Sequence, residues 1–166
     1  MAVTKEQVTK LYVATFNRAP DAAGLNYWVD SGLTIEKIAE SFFLAPETQE
    51  KYPEGTTDES FVTSIYQNVF NRTPDEDGLA FWVGEGGLGG GVPRSEMILA
   101  VIGGAQNQDA EILDNKTEVG LYFADELGLG GDGPFSLSDV TADDATVDAA
   151  KAAADELVPV ASPRRR

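Results

Sequence analysis

FNRAPDAAGLNYWV, Phe16 to Val29, returns as FNRTPDEDGLAFWV, Phe70 to Val83, with nine of fourteen positions identical. Each copy holds one of the chain's two tryptophans and an Arg separated by one residue from a Pro-Asp pair. Working backwards, Val8, Leu11, Tyr12 and Phe16 correspond to Val62, Ile65, Tyr66 and Phe70 at an offset of 54. That i, i+3, i+4, i+8 spacing is the apolar stripe of an amphipathic helix. Thr4 with Glu6 and Gln7, and Thr57 with Asp58 and Glu59, supply the polar side chains that free N–H groups at a helix start require.

Working forwards, Ile38, Phe42 and Phe43 correspond to Met97, Val101 and Ile102, now at an offset of 59. The extra residues fall in the glycine run Gly86 to Gly91, which reads as a surface loop. Each unit therefore reads as helix, Pro-Asp turn, short Trp-bearing helix, loop and third helix. The spacing predicts helices over 4–16, 21–31 and 34–45, then 58–70, 75–84 and 93–104.

Beyond the second unit, Asp109 to Leu127 reads as a longer helix ended by Gly128, and GLGGDGPFSLSD as a loop. Thr141 opens a last helix with acidic residues in its first turn, where they suit the helix dipole. VASPRRR reads as an unstructured tail. No period-2 run marks a strand. The expectation is an all-α bundle of about seven or eight helices. Its units are a first repeat at 1–54, a second at 55–108, a C-terminal helical appendage at 109–158 and the tail at 159–166.

Composition narrows the function. The 166-residue chain is 42% hydrophobic and 24% charged, with a formal charge of −16. Nucleic acid and anionic lipid reward clustered Lys and Arg, so neither is an expected partner. Residues 106–161 alone hold 13 Asp/Glu against 2 Lys. The absence of Cys and His removes thiol and imidazole nucleophiles, Ser-His triads, zinc sites and disulfides. No cofactor is expected. Calcium is the one metal the ligand types would suit, but PDEDG at Pro74–Gly78 and GGDG at Gly130–Gly133 are both incomplete as calcium loops. With 28 acidic residues, some carboxylate pair falls within reach by chance, so no pair is singled out for glycoside hydrolysis and no enzyme is expected. MAVTKEQVTKLYV lacks the apolar core of a cleaved secretory signal, and no run reaches the ~20 apolar residues of a membrane span.

Within the motif, Pro20 and Pro74 fit a first helical turn, and Asp21 and Asp75 can accept its N–H groups. Phe16, Gly24, Leu25 and Trp28, with Phe70, Gly78, Leu79 and Trp82, read as structural core, the glycines admitting a neighbouring helix. Arg18 and Arg72 are each expected to bond their own motif Asp. The competing reading makes the polar edge a ligand site: Asn17, Arg18, Asp21, Tyr27, Asn71, Arg72 and Asp75, with the glycine loop before Arg94. Sugars favour that mix, since C–H faces lie on aromatic rings while Asn, Asp and Arg bond hydroxyls.

The stretch RAPDAAGLNYWV resembles the signature of the domain-of-unknown-function 4214 family, L-Y-x-x-x-x-x-R-x-P-D-x-x-G-L-x-Y-W. Leu11, Tyr12, Arg18, Pro20, Asp21, Gly24, Leu25, Tyr27 and Trp28 match it. The second copy keeps it with Ile65 and Phe81 substituted. The resemblance covers residues 4 to about 105, and NKTEVGLYFADEL with DVTADDATVDAAKA is similar to the tail that often follows. It implies a helical domain of bacterial surface and exported proteins, S-layer-like and calcium-repeat proteins that leave by type I secretion without a cleaved N-terminal signal. In such proteins a related region attaches the layer to lipopolysaccharide. The family is also reminiscent of phycobilisome linker domains, which are protein–protein scaffolds. No catalytic residues are implied. Calcium repeats and a C-terminal secretion signal are missing, so the chain is expected to be the N-terminal module of a longer protein.

The resulting expectation is a non-enzymatic extracellular or cell-surface attachment module that binds a surface glycan or lipopolysaccharide. The alternative is a scaffold that assembles with itself or with other surface proteins.

Overall fold

A computed structural model describes residues 3–131 and 133–159. The proposed tail from residue 160 and Asp132 of the glycine-rich loop lie outside the described residues. Among the described residues nine α-helices follow one another: α1 (Lys5–Phe16), α2 (Ala22–Asp30), α3 (Ile35–Phe42), α4 (Pro46–Lys51), α5 (Asp58–Phe70), α6 (Glu76–Val83), α7 (Arg94–Gly103), α8 (Asn107–Leu121) and α9 (Asp144–Asp155). The fold is all-α. Among the described residues there is no strand, only an isolated antiparallel bridge between Arg18 and Ser136.

Local chemistry starts these helices where sequence placed them. Thr4 forms a reciprocal capping box with Gln7, Thr57 accepts from Ser60 N–H, and Asp21 and Asp75 accept from Gly24 and Gly78 N–H at 3.0 and 2.7 Å. Both motif-bearing helices also stop alike. Asn17 and Asn71 take left-handed backbone angles, φ 53° and 58°, and bond Val13 O and Gln67 O.

One helix escaped the sequence reading. The third helix was expected to run to residue 45, but α3 ends at Phe42 and α4 begins at Pro46. Proline presets the first turn of a helix and cannot continue a preceding one. PETQEK shows no apolar stripe, and of its side chains only Thr48 is buried. Each repeat therefore has four helices, since α8 follows α7 as α4 follows α3.

α1 lies at the centre, packed on α2, α5, α7 and α8, while α3 packs on α7 and α8 on α9. Leu11, Leu25, Ile38, Phe61, Ile65, Met97, Ile98 and Leu113 form one core across both repeats. α8, read as part of an appendage, contributes Leu113, Lys116 and Val119 to that core. After α8 the chain turns through a π-helical turn at Tyr122–Glu126 and runs back across the first motif before α9.

Candidate functional site

The motif arginines do not bond their own aspartates. Arg18 donates from Nε and Nη2 to both carboxylate oxygens of Glu47 on α4, at 2.7 and 2.6 Å, and from Nη1 to Ala19 O. Arg72 does the same to Asp109 on α8, at 3.1 and 2.7 Å, and bonds Thr73 O. Asp21 and Asp75 are already occupied as helix caps, so the arginines reach forward to the first turn of the fourth helix. Each guanidinium also lies over the Tyr and Phe of its own repeat, Tyr12 and Phe16 or Tyr66 and Phe70. Burial lowers the Arg18 pKa, but the Glu47 carboxylate outweighs that and leaves it above its ordinary value.

Asn17 and Asn71 are likewise used internally. Lys116 Nζ donates to Asn17 Oδ1 at 2.9 Å, and Asn71 Nδ2 donates to Val140 O at 2.8 Å. Arg94 sits elsewhere, bonded to Thr56 O and Asp58 and stacked over Phe61 at the start of α5. The glycine loop folds into a 3-10 turn, Leu88–Gly90, against the end of α6. The polar set read as one ligand edge is thus dispersed into caps and clamps.

The residues read as core divide as well. Phe16, Leu25 and Phe70 are buried, but Trp28, Leu79 and Trp82 are only half-buried. α2 and α6 are short and lie on the outside, so each Trp covers the core with one face and leaves the other near solvent. Tyr27 and Phe81, at matching positions, are 65% and 56% exposed and stand edge-on to their tryptophans, with centroids 4.9 Å apart in both pairs. The glycines admit a tyrosine and the cap rather than a helix backbone. A Cβ at Gly24 would meet the Tyr12 hydroxyl at 2.7 Å, and one at Gly78 would meet Asp75 Oδ1 at 2.9 Å.

The two repeats differ at one position that shapes a cleft. Phe42 fills the centre of the first repeat, its ring 4.9 Å from Tyr12, 5.7 Å from Phe16 and 5.6 Å from Trp28. Its counterpart in the second repeat is Val101. The smaller side chain leaves a cleft of about 360 Å³, lined by the apolar Tyr66, Phe70, Trp82 and Val101 and the polar Arg72, Gln106, Asn107 and Asp109. Tyr66 is half-buried there, while Tyr12 is buried. Trp82 Nε1 donates to the Tyr66 hydroxyl at 3.2 Å, which fixes both rings as a wall. Of the residues read as ligand contacts, Arg72 alone lines this cleft. Sequence reading missed Gln106, Asn107 and Asp109 and treated Phe70 and Trp82 as core. The Phe42-to-Val101 mismatch in the aligned repeats was the available signal.

The motifs also differ in what covers them. In the first, Ala19 N–H donates to Phe135 O, Ala22 N–H to Leu129 O and Leu137 N–H to Asn17 O. Gly130, at φ 150°, passes so near Asp21 that an added Cβ would lie 2.5 Å from its Cβ. In the second, the corresponding Thr73 and Glu76 N–H groups have no backbone partner among the described residues.

Residues 39–110, from within α3 to the start of α8, match the model of the family described as Domain of unknown function (DUF4214). That match agrees with the resemblance carried by the repeated motif. The match takes in the second motif, the Arg72–Asp109 clamp and the whole lining of the cleft. No curated protein and no solved structure matches the chain. Among the described residues, no helix is long and apolar enough to cross a membrane, and no three carboxylates gather as a metal site would need.

Proposed function

We propose that this DUF4214-containing protein is a non-enzymatic attachment module, working at or outside a bacterial cell surface, that binds a surface polysaccharide such as lipopolysaccharide through the second-repeat cleft. One observation carries this reading: three aromatic rings, an Arg, an Asp and two amide side chains line a cleft at the place that Phe42 fills in the first repeat. Small-molecule sites are concave, of ~300–1,000 Å³, with apolar walls and a few convergent polar groups. Stacked sugar C–H faces and hydroxyl-directed amides and carboxylates are the chemistry such walls suit. The surface location rests on the resemblance of the repeated motif to helical domains of exported proteins.

The test is calorimetry and a glycan array with the intact chain and with Val101→Phe, which restores the first repeat's filling. Saccharide binding that Val101→Phe abolishes while the melting temperature holds supports the reading. No binding by the folded chain to surface polysaccharides removes it.

A scaffolding role is the second reading. The bare backbone at Thr73 and Glu76, beside the exposed Phe81 ring, favours it, because the equivalent edge of the first motif already holds an extended segment. Light scattering over a concentration series, with and without Ca²⁺, distinguishes the two: oligomers that form without saccharide favour scaffolding.

A further inference from the structure

A second cleft, separate from the one above, lies where the returning C-terminal segment crosses the first motif. It also measures about 360 Å³, and its walls include Arg18, Glu47, Lys51, Asn68, Ser136 and Ser138. Of the nine lysines and arginines among the described residues, seven have a carboxylate within 4.0 Å. The remaining two are Lys51 and Lys116. With 28 Asp/Glu in the chain, a lysine has carboxylates in surplus to choose from, yet the two cations with no carboxylate partner among the described residues meet at this one cleft.

Lys51 reaches into it with a single long bond, Nζ to Phe16 O at 3.3 Å. Lys116 lies fully buried directly behind the wall, donating to Asn17 Oδ1 and to Asn68 O at 2.7 Å, and both asparagines line the cleft. Glu47, the one carboxylate among the described lining residues, has both oxygens taken by Arg18. The carbonyls ending α1 are also engaged, Ala14 O by Asn68, Thr15 O by Tyr52 and Phe16 O by Lys51. Opposite them, Ser136 and Ser138 share one hydrogen bond between their hydroxyls at 2.9 Å, which leaves one O–H of the pair free to donate. Donors and positive charge therefore line the cleft, while the Glu47 carboxylate and the carbonyls ending α1 are already engaged.

We infer that this cleft is an oxyanion site, built for the phosphate or carboxylate group of an acidic sugar or for phosphate itself. Lys51 supplies the direct charge, Ser136 and Ser138 the hydroxyl donors, and Lys116 a fixed positive potential from behind. Low dielectric near a buried charge strengthens that attraction relative to an exposed lysine. Burial holds the Lys116 pKa down at about 8, so an anion alongside would raise it.

The test is isothermal calorimetry of the full chain with inorganic phosphate, glucose 6-phosphate, glucuronate and, as a neutral control, glucose. At least one anion is expected to bind, with an affinity about tenfold lower in Lys51→Gln through loss of a charge-assisted bond. Ser138→Ala is the second variant and gives a smaller loss. Equal binding of phosphate and glucose 6-phosphate assigns the site to the bare oxyanion; preference for the sugar acids assigns it to an acidic saccharide. Val101→Phe leaves this binding intact, so failure here and failure of the saccharide cleft are separable. Absence of anion binding at millimolar concentration, unchanged affinity in both variants, or equal binding of glucose overturns the proposal.

Discussion

Arg72 holds both carboxylate oxygens of Asp109 across 37 residues of chain, as Arg18 holds those of Glu47 across 29. In each repeat the motif's arginine thus clamps the first turn of the fourth helix. The two clamps differ in exposure: the Arg18 side chain is 16% exposed and that of Arg72 45%. Removing one partner of a shielded pair leaves a charge unpaired, whereas an exposed pair contributes little. Arg18→Ala is expected to cost about 2–3 kcal/mol in denaturant unfolding and Arg72→Ala about 1 kcal/mol or less. Equal losses would contradict the asymmetry.

Phe42 and Val101 yield a reciprocal pair of variants. Val101→Phe should close the second-repeat cleft with a stability change within about 1 kcal/mol, since the ring enters open space. Phe42→Val should open a matching cleft in the first repeat at a cost of about 2–3 kcal/mol, through lost burial and the cavity left behind. Thermal melts with saccharide binding report both.

The two left-handed asparagines should separate backbone from side-chain effects. Asn71→Gly keeps the conformation cheap and loses one bond, to Val140 O, at about 1 kcal/mol. Asn17→Ala loses the short polar side chain that tolerates φ 53° and also strips an oxygen from buried Lys116, for about 2–4 kcal/mol. Urea unfolding of the two variants should rank them in that order.

Lys116 makes stability depend on pH in the alkaline range. Its folded pKa, lowered to about 8 by burial, lies below the unfolded value near 10.5. Between those values the unfolded chain binds more protons, so stability rises with pH from about 8, by at most ~3 kcal/mol. Tyr12 and Tyr52 act in the opposite sense. Burial, with the Asp21 carboxylate at Tyr12, pushes both up to about 12. Above pH 10 the unfolded tyrosines ionise first and stability falls. A maximum between pH 9 and 10 is expected in urea midpoints, and Lys116→Met should flatten the rise leading to it.

Gly120→Ala should reverse the usual helix preference. Ala gains about 1 kcal/mol over Gly inside a helix. Here its Cβ would meet Thr9 Cγ2 of α1 at 2.8 Å, where the two helices cross. Forcing them apart should cost about 1–3 kcal/mol net, measured by thermal melts. A stabilised variant would show that the crossing yields easily.

Sequence alone determined the helical class, the duplication and the start of most helices. These depend on side chains within a few residues of one another: Thr4 with Gln7, Asp21 with Gly24, and the stripe from Val8 to Phe16. α4 was missed because its helix rests on Pro46 and on the clamp from Arg18, with too few apolar residues to form a stripe. The site was legible only in part, for a related reason. Asn17, Arg18 and Arg72 read as a ligand edge or, for the arginines, as partners of the motif Asp, whereas their actual partners Lys116, Glu47 and Asp109 are 99, 29 and 37 residues away. Periodicity carries no information about such distant pairs. Only the tertiary structure decided that these side chains face inward, that Val101 leaves open what Phe42 fills, and that the returning C-terminal segment brings Ser136 and Ser138 opposite Lys51.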